Sequence, residues 1–242
     1  MIAAVLFDLD DTLYPQASWL HGALEAVADA APDTVDRAAF LAALYLIAGQ
    51  GSDQGRIIDR ALARIDACGT ETAPLISAFR HHAPARLEPY PEAVDVVAAV
   101  RERVPVGLVS DGDVDVQAAK VRALGFEQAF DVVVLSDAMG REHRKPDSGP
   151  FLAAAERLGV VAQSCVMVGD RPDKDVRGAR QAGLLGAVRV RTGEYAAEPD
   201  EDGCLVTLDT LGEAGRWLLA RLDAHGPPAP GARASSTWLR PR

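Results

Sequence analysis

The sequence predicts an α/β fold, a doubly wound parallel sheet into which an all-helical domain is inserted. Short, continuous apolar runs alternate with helical patterns, which is typical of parallel strands that are buried on both faces and joined by crossover helices. Between the first two runs lies a long stretch that has helical periodicity and no strand pattern. This stretch predicts the insertion.

The apolar runs define five strands and the segments between them define the crossover helices. Strands are predicted at 2–7, 105–109, 131–135, 164–168 and 186–190. Helices are predicted at 91–103, 114–124, 149–158 and 174–182. Leu124-Gly125 and Leu158-Gly159 have the glycine that commonly follows the end of a helix.

The domain boundaries follow from where the alternation is broken. Residues 16–83 predict about four helices, and the prolines from Pro84 to Pro91 mark the return to the sheet. We therefore predict a core domain at 1–15 and 84–225 and a helical domain at 16–83. The Pro- and Gly-rich tail, 226–242, is predicted to be disordered.

The composition excludes several classes of protein. The 242 residues are 48% hydrophobic and 25% charged, which is typical of a globular chain. A net charge of -10 disfavours nucleic-acid binding, and no apolar run approaches the roughly 20 residues that span a bilayer. Because the N-terminus does not resemble a signal peptide, we expect a cytoplasmic protein with neither nucleic-acid nor membrane partners. The sequence does not define an oligomeric state.

The cysteines predict neither disulfides nor a metal site. Cys68, Cys165 and Cys204 lack the paired spacing of metal ligands, so we expect buried, reduced thiols. Lysine is rare, since only three of the 25 basic residues are lysines. They are Lys120, Lys145 and Lys174.

The first strand ends in the acidic segment Asp8-Leu9-Asp10-Asp11-Thr12. Ligands bind at the carboxyl ends of the strands in such sheets. Since residues two apart in an extended chain face the same side, Asp8 and Asp10 should point together and Asp11 away. Repulsion between the two carboxylates would let one of them keep its proton, and such a pair suits one nucleophile and one acid/base. A bound divalent cation would also relieve the repulsion. The alternative is a polar turn after a strand.

A second acidic segment, Gly169–Asp175, follows another predicted strand. Carboxylates in a loop at this edge of the sheet favour a hard-cation site. For Asp173 the alternative is an N-cap of the following helix.

Two further segments carry groups that suit a phosphate. The turn Ser110-Asp111-Gly112 offers a hydroxyl and backbone amides, with an ordinary polar turn as the alternative. Lys145 precedes a helix and is able to pair with both a phosphoryl group and a carboxylate. Its alternative is a solvated loop lysine.

In order and spacing, Asp8–Thr12, Ser110, Lys145 and Gly169–Asp175 resemble the haloacid dehalogenase-like (HAD) hydrolase superfamily. The resemblance covers about residues 1–222, and it implies a Rossmann-like core with an inserted C1 cap. Asp10 favours the phosphatase branch, since dehalogenating relatives lack a carboxylate two residues after the nucleophile. The motif strings resemble phosphatases of small metabolites, such as nucleotide and acylneuraminate phosphatases.

The resemblance implies a role for each matching residue. Asp8 would be the nucleophile that becomes an aspartyl-phosphate, Asp10 the general acid and base, and Lys145 the group that neutralises charge on both Asp8 and the phosphoryl group. Ser110–Gly112 would bind the phosphoryl oxygens. Relatives often have Asn at the position of Asp111, so we expect this carboxylate to face away or to hold the loop.

The resemblance also implies a Mg²⁺ cofactor. Its ligands would be Asp8, the backbone carbonyl of Asp10, Asp170 and Asp175. Residues of the cap, or residues close to it in sequence, should select the substrate. For each candidate the alternative to substrate contact is packing in the core or exposure to solvent. The candidates are Tyr14, Gln16, His21, Tyr45, Gln50, Gln54, Arg56 and Arg86.

The sequence thus predicts a magnesium-dependent phosphomonoester hydrolase. Its partner would be a small phosphorylated metabolite: a sugar phosphate, an acyl-sugar phosphate or a nucleoside monophosphate. The alternatives are a phosphomutase of the same fold and a non-catalytic, metal-binding regulatory protein.

Overall fold

A computed structural model describes residues 1–51, 55–224 and 237–238. Its strands are β1 (Ala4–Phe7), β2 (Val106–Ser110), β3 (Val132–Leu135), β4 (Cys165–Gly169), β5 (Gly186–Val190), β6 (Cys204–Leu208) and β7 (Thr237–Trp238). They form one sheet in the order β6-β5-β4-β1-β2-β3-β7, and every pair is parallel. The predicted fold class is confirmed.

Helices pack against this sheet. They are α5 (Ala93–Arg101), α6 (Val114–Ala123), α7 (Gly149–Arg157), α8 (Arg177–Gln181) and α9 (Leu211–Asp223). Helix α7 packs on the three neighbouring strands β1, β2 and β3, where Phe151 is fully buried in the core. A π-helical segment, Pro172–Val176, leads directly into α8, so the helix predicted at 174–182 consists of two parts.

The register of the central strands determines where the acidic segments lie. All four residues of β1 are completely buried, which explains the continuous apolar run of the sequence. Phe7 pairs with Leu108 of β2 and with Val168 of β4. Each of these strands therefore ends at the same edge of the sheet, where Asp8 follows β1, Asp170 follows β4, and Ser110 is the last residue of β2.

The chain divides into two compact units. The first comprises Met1–Gln16 and the chain from Arg86 onward, and the second comprises Ala17–Ala85. The set of about four helices predicted within residues 16–83 is present: α1 (Gln16–Asp29), α2 (Arg37–Ala48), α3 (Ile57–Arg64) and α4 (Ala73–His81). This second unit has its own apolar core, which includes Leu24, Phe40, Leu44, Leu62 and Leu75.

Three elements near the C-terminus were not predicted. Strand β6 is only partly buried, although four of its five residues are apolar. Helix α9 begins with a capping box between Thr210 and Glu213, a signal that was present in the sequence. The tail predicted to be disordered, 226–242, lies outside the described residues except for β7, which pairs with Val132 and Val133.

The cysteine prediction is partly wrong. Cys165 is buried in β4 and Cys204 is partly buried, but Cys68 is exposed in the turn after α3. All three are free thiols. Among the helices that the structure describes, none has the length and the apolar character needed to cross a bilayer.

Helices α5 and α9 approach each other closely at Gly215. A Cβ atom at this position would lie 2.6 Å from Cγ2 of Val96. Valine is stiff in a helix, so it does not move aside easily. The glycine is therefore required by packing, although alanine is favoured over glycine in a helix by about 1 kcal/mol.

We predict that Gly215→Ala lowers the free energy of unfolding by about 1–3 kcal/mol, because overpacking outweighs the gain in helix propensity. Chemical denaturation measures this change. Val96→Ala should lower the free energy of unfolding by less in the Gly215→Ala background than in the wild type, because it removes the clash. Stabilisation by Gly215→Ala alone would contradict the prediction.

Candidate active site

The ammonium group of Lys145 lies between two carboxylates from different strand ends. Its Nζ donates a short hydrogen bond to Oδ1 of Asp8 and a second, of 2.7 Å, to Oδ1 of Asp175. The carbonyl oxygen of Val109 lies 3.3 Å from the same nitrogen. All three charged side chains are buried, and Lys145 is only 5% exposed. The expected alternative, a solvated loop lysine, is thus wrong.

Three buried carboxylates converge at this point. Asp8, Asp170 and Asp175 each offer an oxygen that lies within 4.8 Å of the other two. The hydroxyl of Thr12 is 3.5 Å from both Asp8 Oδ2 and Asp170 Oδ1. At Gly169 a Cβ atom would lie 2.3 Å from Cγ of Asp175, so a glycine is needed where β4 meets the cluster.

The charges of this cluster are not balanced. Burial raises the pKa of Asp8 to about 7, although Lys145 opposes the shift. Burial, followed by the charges of Asp175 and Asp8, raises the pKa of Asp170 well above its usual value. Burial lowers the pKa of Lys145, but Asp175 and Asp8 outweigh it, so the ammonium group is held in its charged form.

The cluster fits a divalent cation. Three ionised carboxylates and one ammonium group would leave two uncompensated negative charges in a buried site. Carboxylate oxygens are also the ligands that Mg²⁺ prefers. The predicted ligands Asp8, Asp170 and Asp175 are therefore brought together, whereas the role predicted for the carbonyl of Asp10 stays a prediction.

The carboxylate of Asp10 has different partners. Its Oδ1 accepts hydrogen bonds from Lys120 Nζ at 2.7 Å and from the hydroxyl of Tyr14 at 2.5 Å, and its Oδ2 accepts from Gln117 Nε2 at 2.8 Å. Burial would raise the pKa of Asp10, but Lys120, Tyr14 and Gln117 outweigh it and lower the pKa. The two neighbouring carboxylates Asp8 and Asp10 thus shift in opposite directions.

Ser110 is buried at the end of β2, and the turn after it is half-buried and hydrogen-bonded. The hydroxyl oxygen of Ser110 accepts a 2.6 Å hydrogen bond from Gln117. Oδ1 of Asp111 accepts from the hydroxyl of Ser136 at 2.8 Å and from the backbone N–H of Lys145 at 3.0 Å. Asp111 therefore holds the loop, one of the two outcomes expected for it. Gly112 has a φ of +131°, a conformation that favours glycine.

Sequence reasoning missed several residues of the site. Gln117 and Ser136 gave no signal, and the rarity of lysine was the one signal for Lys120. Tyr14, expected as a candidate for substrate choice, is completely buried and bonded to Asp10, so the packing alternative is correct. Gln54, another such candidate, lies outside the described residues.

A fully buried arginine contacts the backbone of the acidic loop. The guanidinium group of Arg189, in β5, lies 3.3 Å from the carbonyl oxygen of Asp170. It also donates to the carbonyl oxygens of Tyr195 and Glu198, each at 2.7 Å. A charged residue within an apolar strand was the signal that pointed to it.

Comparison with known proteins identifies the family. The family model for haloacid dehalogenase-like hydrolases matches residues 2–183. The chain belongs to the HAD-like hydrolase family. The family predicted from the motifs is confirmed.

The relatives agree with the predicted enzyme class. The chain is 36% identical over 212 residues to a glyceraldehyde 3-phosphate phosphatase from Methanopyrus kandleri, which covers 84% of this chain and 90% of the relative. It is 33% identical over 233 residues to a phosphoglycolate phosphatase from Rhodospirillum rubrum, with 90% and 91% covered. A crystal structure of a 2-haloacid dehalogenase from Pseudomonas syringae has a TM-score of 0.61 and 25% identity, with 91% of this chain and 99% of that chain covered.

We predict that Mg²⁺ raises the melting temperature, because a cation that binds the folded state stabilises it by about 2–3 kcal/mol at about 100 times its Kd. Asp170→Asn should abolish the increase. Without the metal this variant should be at least as stable as the wild type, because burial and two neighbouring charges disfavour the ionised Asp170. Differential scanning calorimetry with and without Mg²⁺ measures both effects.

Asp173→Asn is the matched control for this experiment. Asp173 belongs to the same loop, but its side chain is 43% exposed and pairs with Arg171 at 2.9 Å. The control should keep the Mg²⁺ response of the wild type. The same Mg²⁺ response in Asp170→Asn as in the control would contradict the assignment of the site.

Proposed function

We propose that this protein is a magnesium-dependent phosphomonoesterase that hydrolyses a small phosphorylated metabolite through an aspartyl-phosphate on Asp8. The observation that carries the proposal is the pairing of Asp8 with Lys145 at the edge of the sheet, beside Asp170 and Asp175. Asp10, two residues after Asp8, supplies the second carboxylate that ester hydrolysis needs.

In the first step Asp8 acts as the nucleophile. A carboxylate oxygen of Asp8 attacks phosphorus, and the bond between phosphorus and the ester oxygen breaks. Lys145 holds Asp8 by a hydrogen bond to Oδ1, which leaves Oδ2 for the attack. The positive charge of Lys145 also offsets the negative charge that gathers at the phosphoryl group.

Asp10 moves the proton. It gives a proton to the oxygen of the leaving alcohol and then takes one from the water that attacks the aspartyl-phosphate. The bond between phosphorus and the Asp8 oxygen breaks as water attacks phosphorus, inorganic phosphate leaves, and both carboxylates return to their starting state. Ser110 and the backbone amides of its turn hold the phosphoryl oxygens.

The acidic cluster completes the site. Mg²⁺ held by Asp8, Asp170 and Asp175 would neutralise charge on the phosphoryl oxygens. Arg189 supports the loop that holds Asp170 through its backbone carbonyl.

The relatives support a short substrate. Two of them are phosphatases of glyceraldehyde 3-phosphate and phosphoglycolate, esters with three and two carbon atoms. Both matches extend over most of this chain, so they include the helical unit as well as the sheet. We infer a small alkyl phosphate as the substrate.

We predict metal-dependent phosphate release from at least one member of a panel that contains glyceraldehyde 3-phosphate, phosphoglycolate, sugar phosphates, acyl-sugar phosphates and nucleoside monophosphates. Asp8→Asn should abolish it, because the amide is not a nucleophile. A phosphate-release assay with and without Mg²⁺ measures both, and circular dichroism confirms that the variant is folded. Turnover by the folded variant at the wild-type rate would refute the mechanism.

We predict that Asp10→Asn lowers kcat/KM for an alkyl phosphate by about 10²–10⁴-fold, the usual contribution of a general acid. For p-nitrophenyl phosphate the loss should be much smaller, because p-nitrophenolate leaves without a proton. Since kcat/KM reports the steps up to departure of the leaving group, the two substrates separate proton donation from other effects. A loss of less than threefold with the alkyl ester would exclude this role for Asp10.

A further inference from the structure

Helix α6 directs two long polar side chains inward. Gln117 is 1% exposed and Lys120 is 3% exposed. Residues three apart lie on the same side of a helix, so both side chains point to the same region. Burial of such groups is unfavourable unless they are hydrogen-bonded or paired, so their partners explain their presence.

Those partners are the predicted acid/base and the predicted phosphate turn. The amide nitrogen of Gln117 donates to Oδ2 of Asp10 and to the hydroxyl oxygen of Ser110, at 2.8 and 2.6 Å. The ammonium group of Lys120 donates to Oδ1 of Asp10 at 2.7 Å. Together with Tyr14, α6 therefore engages both oxygens of the Asp10 carboxylate and joins it to Ser110.

The close approach of Gln117 depends on the turn. At Gly112 a Cβ atom would lie 3.2 Å from Cγ and Cδ of Gln117, which is tighter than ordinary contact. The side chain of Gln117 thus lies directly against the turn that would hold the phosphoryl group. This places the amide between the phosphate turn and the carboxylate.

Stability alone does not account for Lys120. A buried ion pair is often no more stable than well-packed apolar residues of the same volume. The chain uses arginine for most of its positive charges, yet it places a buried lysine here, as it does beside Asp8. Asp8 and Asp10 are thus each paired with a buried lysine.

We infer that Gln117 and Lys120 are positioning residues, which fix the orientation of the Asp10 carboxyl group relative to Ser110 and act on the substrate through Asp10. The inference rests on the proposed function. A carboxyl group is an effective general acid when it lies within hydrogen-bond reach of the leaving oxygen. Small misplacements of a reacting group lower the rate strongly.

Lys120→Met tests this inference, because it keeps the length of the side chain and removes the ammonium group. We expect it to lower kcat/KM for glyceraldehyde 3-phosphate or phosphoglycolate by about tenfold or more, a part of what a general acid contributes. For p-nitrophenyl phosphate the loss should be less than about threefold, because this leaving group needs no proton. A merely structural role would lower both values equally.

Gln117→Leu is the second variant, and it tests the link between Asp10 and Ser110 if Lys120→Met does not fold. It should show the same unequal loss. Arg122→Met is the matched control, since it removes a positive charge from the exposed side of the same helix. Both kcat/KM values of this control should equal those of the wild type, and circular dichroism verifies the folding of each variant.

The outcomes separate the inference from the proposed function. If the variants lose activity equally with the two substrates, or lose none, the inference is overturned. The proposed function is still supported in that case, provided that the wild type hydrolyses the alkyl phosphate and Asp8→Asn does not. Absence of alkyl phosphate hydrolysis by the wild type would overturn both.

Discussion

The ion pairs of Lys145 with Asp8 and Asp175 are the interaction on which the site depends. Because β1 and β4 are parallel neighbours, both strands end at the same edge of the sheet. The acidic segments that follow them are therefore brought together in a buried site. Like charges so close and so poorly solvated are costly. Lys145 offsets part of this cost, and removal of one partner would leave a buried charge without compensation. The charge that remains is what makes the cluster suitable for a divalent cation.

A second lysine, Lys120, gives Asp10 an electrostatic environment that differs from that of Asp8. Asp8 and Asp10 are two residues apart, yet the pKa of Asp8 is raised to about 7 and the pKa of Asp10 is lowered. Burial acts on both, so it does not explain the difference. The difference lies in the hydrogen-bond partners. Lys145 is shared between Asp8 and Asp175, whereas Lys120, Tyr14 and Gln117 all donate hydrogen bonds to Asp10. Different partners therefore give these two neighbouring carboxylates different electrostatic environments.

The fold was predictable wherever local pattern and burial agree. The apolar run of β1 and the acidic segment after it define both the strand and the edge at which the site lies. Strand β6 was not predicted, although four of its five residues are apolar, and the signal at the start of α9 was a capping box rather than apolar periodicity. The roles of Gln117 and Lys120 were not predicted for another reason. More than 100 positions separate these residues from Asp10, and only the tertiary structure brings them together. The pattern of polar residues on α6 does not reveal which carboxylate they face.

The reaction is a property of local residues rather than of the fold. The same architecture covers most of this chain and of a 2-haloacid dehalogenase, whereas the phosphatases from Methanopyrus and Rhodospirillum are more similar in sequence. In the proposed mechanism the reaction begins with attack by the carboxylate of Asp8, and a carboxylate supported by a lysine suits displacement of either leaving group. A halide leaves without a proton, but the alcohol of a phosphate ester leaves more easily with one. The carboxylate at position 10 is therefore the feature that favours ester hydrolysis. In the proposed mechanism the contacts from α6 then support Asp10, because a general acid is useful only when it is held at the leaving oxygen.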